Sequence, residues 1–511
     1  MKFAVGTSII EEFAVGHDPS AVLRELVQNE YDAGGQKMAV NFGEQALEVQ
    51  GTGKPIEDEG WRRLSVMMGT GEVSGGGTQI AAKTNGIGSK NFGLRSLFLF
   101  GDQIHVRSNG QRTLLDRFHG AYEQPVTDPD YSAKKGVAIH VPYRTQKSSK
   151  LEPFAKEQEE AALNGIVADF TQTVLKLAQP GKPEKSLREL IIISARCGRA
   201  ITWKQRVEEV PCRQQGIHLV KRSLRLNDSQ TTTVETVEEL EWRKNVLVPE
   251  EFRQQAYPSY FKVAGGRVRL SISLQTKRGK PIIDKPGLFY YPIGAGGCHT
   301  GTALSVTAPF EMNNNRSELV PPGNNPWNQW LLTAAVDLVF DLLKGDWYER
   351  LGADGFLALK EITEPATHQF LDSITKRLRE DKCWPTRDRE EESKKTPVLA
   401  IASGIVIPAH NEMDKLMPET WYLDDGIGND LRIKEFAKGF GAKKFTCDSL
   451  VNLLCAGSPG LILKTKVDKK TDSCLHWTHY PTHFRLRSER GKRVLRGSPS
   501  LRQCSIQFRP R

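Results

Sequence analysis

Leu23-Arg24-Glu25-Leu26-Val27-Gln28-Asn29-Glu30-Tyr31-Asp32-Ala33 is the segment on which the interpretation of this chain turns. Asp18-Pro19 ahead of it supplies an N-cap carboxylate and a proline for the first turn, and Gly34-Gly35 closes the segment, so the pattern predicts a helix over about 18–33. Within that helix Glu25, Asn29 and Asp32 fall at i, i+4 and i+7 and share one face, while Leu23 and Val27 lie nearly opposite and turn to a core. A carboxylate, a carboxamide and a second carboxylate in one stripe suit metal–phosphate chemistry. The amide oxygen can ligate Mg²⁺ and a glutamate can polarise an attacking water. Taken alone, such a stripe is more often a solvated helix face, so its surroundings decide.

Beyond the helix, Lys37–Phe42 and Ala46–Val49 read as short strands. Between Gly69 and Gly93 there are 8 glycines in 25 residues, which marks a backbone-driven loop rather than core. Its last part, Thr84-Asn85-Gly86-Ile87-Gly88-Ser89-Lys90-Asn91-Phe92-Gly93-Leu94, sets glycines, free amides and a lysine just ahead of an apolar segment. Unpaired amides at a helix start favour phosphate. Leu94–Phe100 reads as a buried helix, Gln103–Arg107, Thr113–Phe118 and Gly136–Val141 as strands, Leu151–Leu177 as helix, and Leu187–Ile193 as a further apolar element.

In this order the motifs resemble the GHKL ATPases, the group of gyrase, the ninety-kilodalton heat-shock chaperone, histidine kinases, MutL and MORC proteins. Leu23–Ala33 is similar to their first ATP-binding box, Gly51-Thr52-Gly53 with Ile56 to the second, Asn85–Gly93 with the strand Asp102–Ser108 to the lid-end box, and Gly136-Val137-Ala138-Ile139 to the last. The resemblance spans about residues 18–145 and implies a Bergerat-type ATP-binding α/β sandwich with ATP and Mg²⁺ as cofactors. By that resemblance Glu25 is the general base and Asn29 the Mg²⁺ ligand. Asp32, Ala33, Gln50, Gly51, Gly53, Asn85, Gly86, Gly88, Lys90, Asn91, Phe92, Gly93 and Val137 line the nucleotide. There is one departure. The family opens its second box with an aspartate that accepts a hydrogen bond from the adenine amine, whereas Val49-Gln50 stands here. Valine cannot accept that bond; the Gln50 carboxamide can, if it points inward.

Pro309-Phe310-Glu311-Met312-Asn313-Asn314-Asn315-Arg316-Ser317-Glu318-Leu319, with Trp327–Leu332, resembles the segment after the ATPase in sacsin-like proteins and in the heat-shock chaperone. That implies Arg316 as a γ-phosphate sensor. Gln275-Thr276-Lys277 is similar to gyrase's phosphate-sensing loop but reads more simply as a strand running into a turn. The expected fold class is α+β: an ATP-binding domain over 1–209, a transducer-like α+β domain over 210–345, a helical connector and charged linker over 346–396, a small α/β unit over 397–463, and a poorly ordered basic tail over 464–511. In the second unit Val268–Leu274, Gly287–Pro292 and Ala303–Phe310 read as strands and Pro326–Leu343 as a helix; in the third, Val398–Ile407 reads as a strand and Asp430–Lys438 as a helix.

Charge supports that division. Of 71 Lys and Arg, 13 fall in residues 464–511 against 3 acidic residues, leaving 58 of each sign in residues 1–463. Any attraction to nucleic acid therefore belongs to the tail. The mean hydropathy of −0.45 and the lack of a long apolar run predict no membrane span, and the start of the chain carries no signal-like segment, so the expectation is a cytoplasmic protein. Its 8 cysteines form no CxxC pair and read as reduced thiols; Cys474, His476, His479 and His483 lack a matching half-site for zinc. The chain thus reads as an ATP-driven clamp or chaperone-like machine with slow hydrolysis and a possible homodimer on ATP binding. Its alternatives are a nucleotide-binding switch that scarcely hydrolyses and a nucleic-acid-bound assembly factor. A histidine kinase lacks its phosphoacceptor helix here, and a MutL-like endonuclease lacks its metal cluster.

Overall fold

Helix α1 (Pro19–Asp32) buries Val22, Leu23, Leu26 and Val27, the positions that the 3.6-residue period assigns to one side. Strands β1 (Lys37–Phe42) and β2 (Ala46–Gly51) meet that side with Met38, Val40, Phe42, Leu47 and Val49, each at alternate positions. The computed structural model describes residues 19–64, 94–118, 121–122, 125–128, 136–177, 186–231, 234–254, 266–290, 294–312, 318–389, 397–408, 422–446, 449, 476–480 and 483–487. Helix α2 (Asp58–Leu64) comes after β2 and adds Trp61 to the core.

The next strands in the chain are β3 (Gln103–Ser108), β4 (Gln111–Asp116), β5 (Ala121–Tyr122), β6 (Val126–Thr127), β7 (Ala138–Pro142), β8 (Glu189–Ser194) and β9 (Arg199–Val210). Helix α3 (Lys156–Lys176) lies between β7 and β8 in the chain. β1 runs parallel to β8, a pairing that needs a long crossover, and the remaining pairings of this half are antiparallel. Inward residues of β1, β2, β3, β7, β8 and β9 form one core with α1, α3 and Trp203. Each fully buried Leu, Ile or Val side chain there contributes about 1.5–3 kcal/mol. The segment expected as a buried helix at 94–100 is a 3₁₀ turn, Arg95–Leu99. The buried Arg144 guanidinium takes its last carbonyls, Phe98 at 2.7 Å and Leu99 at 3.4 Å, while its Nε holds Asp102 at 2.9 Å. A side chain thus occupies the acceptors that a further α-helical turn would use.

The sheet does not stop where the first domain was expected to end. β10 (Ile217–Asp228) pairs with β9 from Leu219–Val210 to Asp228–Ile201, β11 (Glu235–Leu247) pairs with β10, and β12 (Arg267–Lys277) pairs with β11. β13 (Lys280–Pro281), β14 (Leu288–Tyr290), β15 (Gly294–His299) and β16 (Ser305–Thr307) complete sixteen strands among the described residues, in the order β15-β14-β16-β12-β11-β10-β9-β8-β1-β2-β7-β3-β4-β5, with β13 on β12 and β6 on β4. The fold class is α+β with a large mixed sheet. The boundary expected at 209–210 falls at the end of β9, where Glu209 and Val210 pair with Val220 and Leu219 of β10; the compact units are Met1–Arg377 and Leu378–Arg511. Gln275-Thr276-Lys277 ends β12 and enters a two-residue turn in which Arg278 and Gly279 both have positive φ, at 52° and 77°.

Helix α4 (Pro326–Leu343) has the expected bounds. Asn325 caps it by accepting from the Asn328 amide at 2.9 Å, and Pro326 occupies the first position. Its apolar residues are buried beside β12. Asp346 receives the Trp242 indole N–H at 2.8 Å and Arg350 Nε at 3.0 Å, fixing the chain after α4 to β11.

In the second unit Trp384 is buried, donates to the Leu378 carbonyl at 2.8 Å, and stands 6.2 and 6.1 Å from the rings of Phe436 and Phe440. The single strand expected over 398–407 is two short strands, Pro397–Ala400 and Val406–Pro408, separated by a 3₁₀ turn at Ala402–Gly404. The expected helix is Leu431–Gly439, capped by Asp430. In the tail expected to be poorly ordered, the described residues form an antiparallel pair, His476–Tyr480 with His483–Arg487. Among the described residues no helix is long and apolar enough to cross a membrane, and Cys197, Cys212, Cys298 and Cys383 are free thiols.

Candidate functional site

Helix α1 ends in a closed C-terminal motif. Gly34 has φ +73°, its amide donates to the Tyr31 carbonyl at 2.9 Å, and the Gly35 amide donates to the Glu30 carbonyl at 2.8 Å. Glycine is the residue that adopts this backbone conformation without strain. The closure turns the chain back to β1 and leaves the Ala33 carbonyl to accept from the Lys54 amide at 2.8 Å. The end of α1 is therefore fastened to the turn after β2. Along the helix Glu25, Asn29, Asp32 and Ala33 are half-buried, in contrast to the fully covered Leu23 and Val27.

Glu30 makes the second fastening. It sits on the apolar side of α1, four residues after Leu26 and three after Val27, and is 7% exposed. Its Oε1 accepts from the Thr52 amide at 2.5 Å and the Gly53 amide at 2.7 Å. The Thr52 hydroxyl lies 3.4 Å from Oε1 but only 3.0 Å from the Lys37 carbonyl, while also accepting from the Gln36 and Lys37 amides at 3.0 Å. The carboxylate occupies room that two glycines leave: a Cβ on Gly35 would meet Oε1 at 1.8 Å, and one on Gly51 would meet Oε2 at 1.9 Å. Burial pushes the Glu30 carboxyl above its ordinary range, and the amides of Thr52 and Gly53 offset that in part.

The third strand of the site is drawn in by backbone and one hydroxyl. The Gly51 amide donates to the Val137 carbonyl at 3.0 Å. Gly136, at φ +93°, passes so close to β2 that a Cβ would lie 2.1 Å from the Gly51 carbonyl oxygen. Ser108, fully buried at the end of β3, accepts from the Ile56 amide and donates to the Gly136 carbonyl, both at 2.9 Å. A Cβ on Gly53 would meet the Ala33 Cβ at 2.7 Å.

The structure thus brings Ala33, just after α1, against Gly53, and joins Gly51, the last residue of β2, to Val137 ahead of β7; Asn29 and Asp32 stand on the last turn of α1, beside Ala33 in the chain. Glu25 lies one turn before Asn29 on the same stripe. Gln50 does not join them. Strand alternation turns it to the exposed face, where its amide lies 2.9 Å from the Gly51 carbonyl, and Val49 is the buried neighbour. Neither residue of the Val49-Gln50 pair puts a carboxylate into the site. Arg316 and the stretch holding Asn85, Gly86, Gly88, Lys90, Asn91, Phe92 and Gly93 lie outside the described residues. No group of three or more His, Cys, Asp and Glu suited to a metal occurs among the described residues. A Mg²⁺ held by one carboxamide, phosphate oxygens and water needs no such group. Sequence reasoning missed Glu30, although a charged residue at a core position of α1 was the signal for it.

The chain matches no protein-family model and no curated protein.

Proposed function

We propose that this chain is a Mg-ATP-binding ATPase that works as a nucleotide-driven clamp. The observation that supports the reading is the convergence at the end of α1. The helix that carries Glu25, Asn29 and Asp32 ends beside Gly51 and Gly53, and Gly136 packs on Gly51; at each of these three glycines a Cβ would collide with its neighbours. A nucleotide fits residues of this kind: polar side chains along one wall, bare backbone along another, and a buried carboxylate between them.

In this reading the Asn29 carboxamide oxygen holds Mg²⁺, and Asp32 holds the water around the metal. Mg-ATP, when bound, supplies a phosphoanhydride whose charge is neutralised by the metal. Glu25 accepts the proton of an attacking water. Lys90 to Gly93 and Arg316 reach the phosphates. The unbroken sheet from β7 to β12 gives a rigid path from this site to the second half of the first unit, as a clamp requires.

Steady-state turnover of ATP and GTP by the full chain and by Glu25→Ala tests the proposal. The variant is expected to bind Mg-ATP and to lose roughly 10²–10⁴-fold in turnover, the usual contribution of a general base. Equal turnover in both proteins would remove Glu25 from the chemistry and favour a binding switch.

A further inference from the structure

The Glu30 carboxylate has two oxygens in different situations. Oε1 is engaged by two backbone amides. Oε2 lies over Gly51, in the space a side chain there would fill, and no hydrogen bond reaches it among the described residues. The residue is more than nine-tenths buried. A carboxyl oxygen without a protein donor, on a residue so largely covered, is left to a proton, a water or a donor on a ligand. Burial already pushes this carboxyl towards the protonated form.

We infer that Glu30 Oε2 is the base-reading acceptor of the nucleotide site, taking a hydrogen bond from the exocyclic amine of a 6-aminopurine. The inference rests on the nucleotide reading above and adds to it the residue that selects the base. A phosphate would not settle against a largely buried carboxylate that has no cation beside it among the described residues, so Glu30 marks the end of the site remote from the phosphates. At that end a purine presents its Watson–Crick edge. Adenine offers an N–H at C6, whereas hypoxanthine and guanine offer a carbonyl oxygen that would face the carboxylate with no proton between them. β2 supplies no acceptor, because Val49 is apolar and Gln50 faces outward. The acceptor therefore comes from α1, and the same side chain that fastens α1 to the turn also reads the ligand.

Titration of the full chain with ATP and ITP, which differ at the C6 substituent, tests this. Wild type is expected to bind ATP at least about tenfold more tightly, the effect of one hydrogen bond to a charged group. In Glu30→Gln the amide carbonyl still accepts from Thr52 and Gly53, but an NH₂ group replaces Oε2, so the ATP:ITP ratio should fall to near one or reverse. Hydrogen exchange at Thr52 and Gly53 reports whether the turn is kept in the variant. Equal affinity of wild type for ATP and ITP would overturn the inference whether or not the variant folds, as would an unchanged ratio in Glu30→Gln with the turn intact. If wild type binds neither nucleotide, the nucleotide reading falls as well, a different result from binding without discrimination.

Discussion

Replacing Gly51 by alanine asks how much the Glu30 fastening is worth. The new Cβ would stand 1.9 Å from Oε2 and 2.5 Å from the carboxyl carbon. Because the obstacle is the end of a flexible side chain, the clash is relieved by withdrawing the carboxylate. Restoring an ordinary carbon–oxygen contact needs a retreat of about 1.5 Å, well beyond what hydrogen bonds of 2.5 and 2.7 Å tolerate. Each hydrogen bond to a charged group is worth about 1.5–3 kcal/mol net, and the two share one oxygen, so the expected loss is about 3 kcal/mol. That is roughly a hundredfold increase in local opening. Amide exchange over residues 50–54 is the assay, read in wild type, Gly51→Ala, Glu30→Ala and the double variant. The methyl group should cost little once Glu30 is gone, and the cycle should show a coupling of about 2–3 kcal/mol, well above the 0.3–0.5 kcal/mol scatter of independent sites. Gly110→Ala serves as the comparison, since φ is +70° there but nothing lies within 4 Å of the new Cβ. Additive losses at 30 and 51, or undisturbed exchange at Thr52 and Gly53 in Gly51→Ala, would show that the carboxylate does not hold the turn.

The direction of the Glu30 shift fixes a pH dependence. A carboxyl raised above its ordinary value in the folded chain contributes stability that is complete at pH below about 4.5 and lost as pH rises through the folded value. Protection of residues 50–54 should therefore fall with rising pH over that window in wild type and not in Glu30→Gln. ATP, by donating to Oε2, favours the ionised carboxylate and opposes the upward shift that burial imposes. Calorimetry in buffers of different ionisation enthalpy is expected to show proton release in wild type beyond that in Glu30→Gln. Ser108→Ala leaves the Ile56 amide and the Gly136 carbonyl without their shared partner and should cost about 1–3 kcal/mol, measured as the midpoint shift in denaturant. Deleting Lys464–Arg511 should leave ATP turnover nearly unchanged while removing any salt-sensitive nucleic-acid binding, which filter retention at low and high salt would measure.

The first half of the fold was legible where the usual local signals agree. Helix α1 as far as Val27 and strands β1, β2 and β3 keep their period of hydrophobic residues, and α4 announces itself through Asn325-Pro326. The long strands β10 and β11 were not read, because charges occupy inward positions in both. Arg222 is fully buried against Glu241 at 2.7 Å, and Glu239 is also buried, so the alternation that marks a strand is masked by pairing that only the folded chain reveals. The 3₁₀ turn at Arg95–Leu99 depends on a tertiary partner, Arg144, in the same way. For the candidate site, the glycines and the polar stripe were visible as a pattern. Its inner carboxylate was not, because Glu30 was read as one more polar residue of a polar helix instead of a charge placed in line with Leu26 and Val27.

The nucleotide site itself is best probed by a hydrogen-exchange footprint of Mg-ATP on the full-length Glu25→Ala chain, held in excess nucleotide so that turnover does not deplete the complex. New protection is predicted at the end of α1 and through Gly34-Gly35, across Gly51–Lys54, and at Gly136-Val137, with none in the second unit. Protection confined to the second unit, or no nucleotide-dependent change at those three places at saturating Mg-ATP, would contradict the ATP-binding assignment.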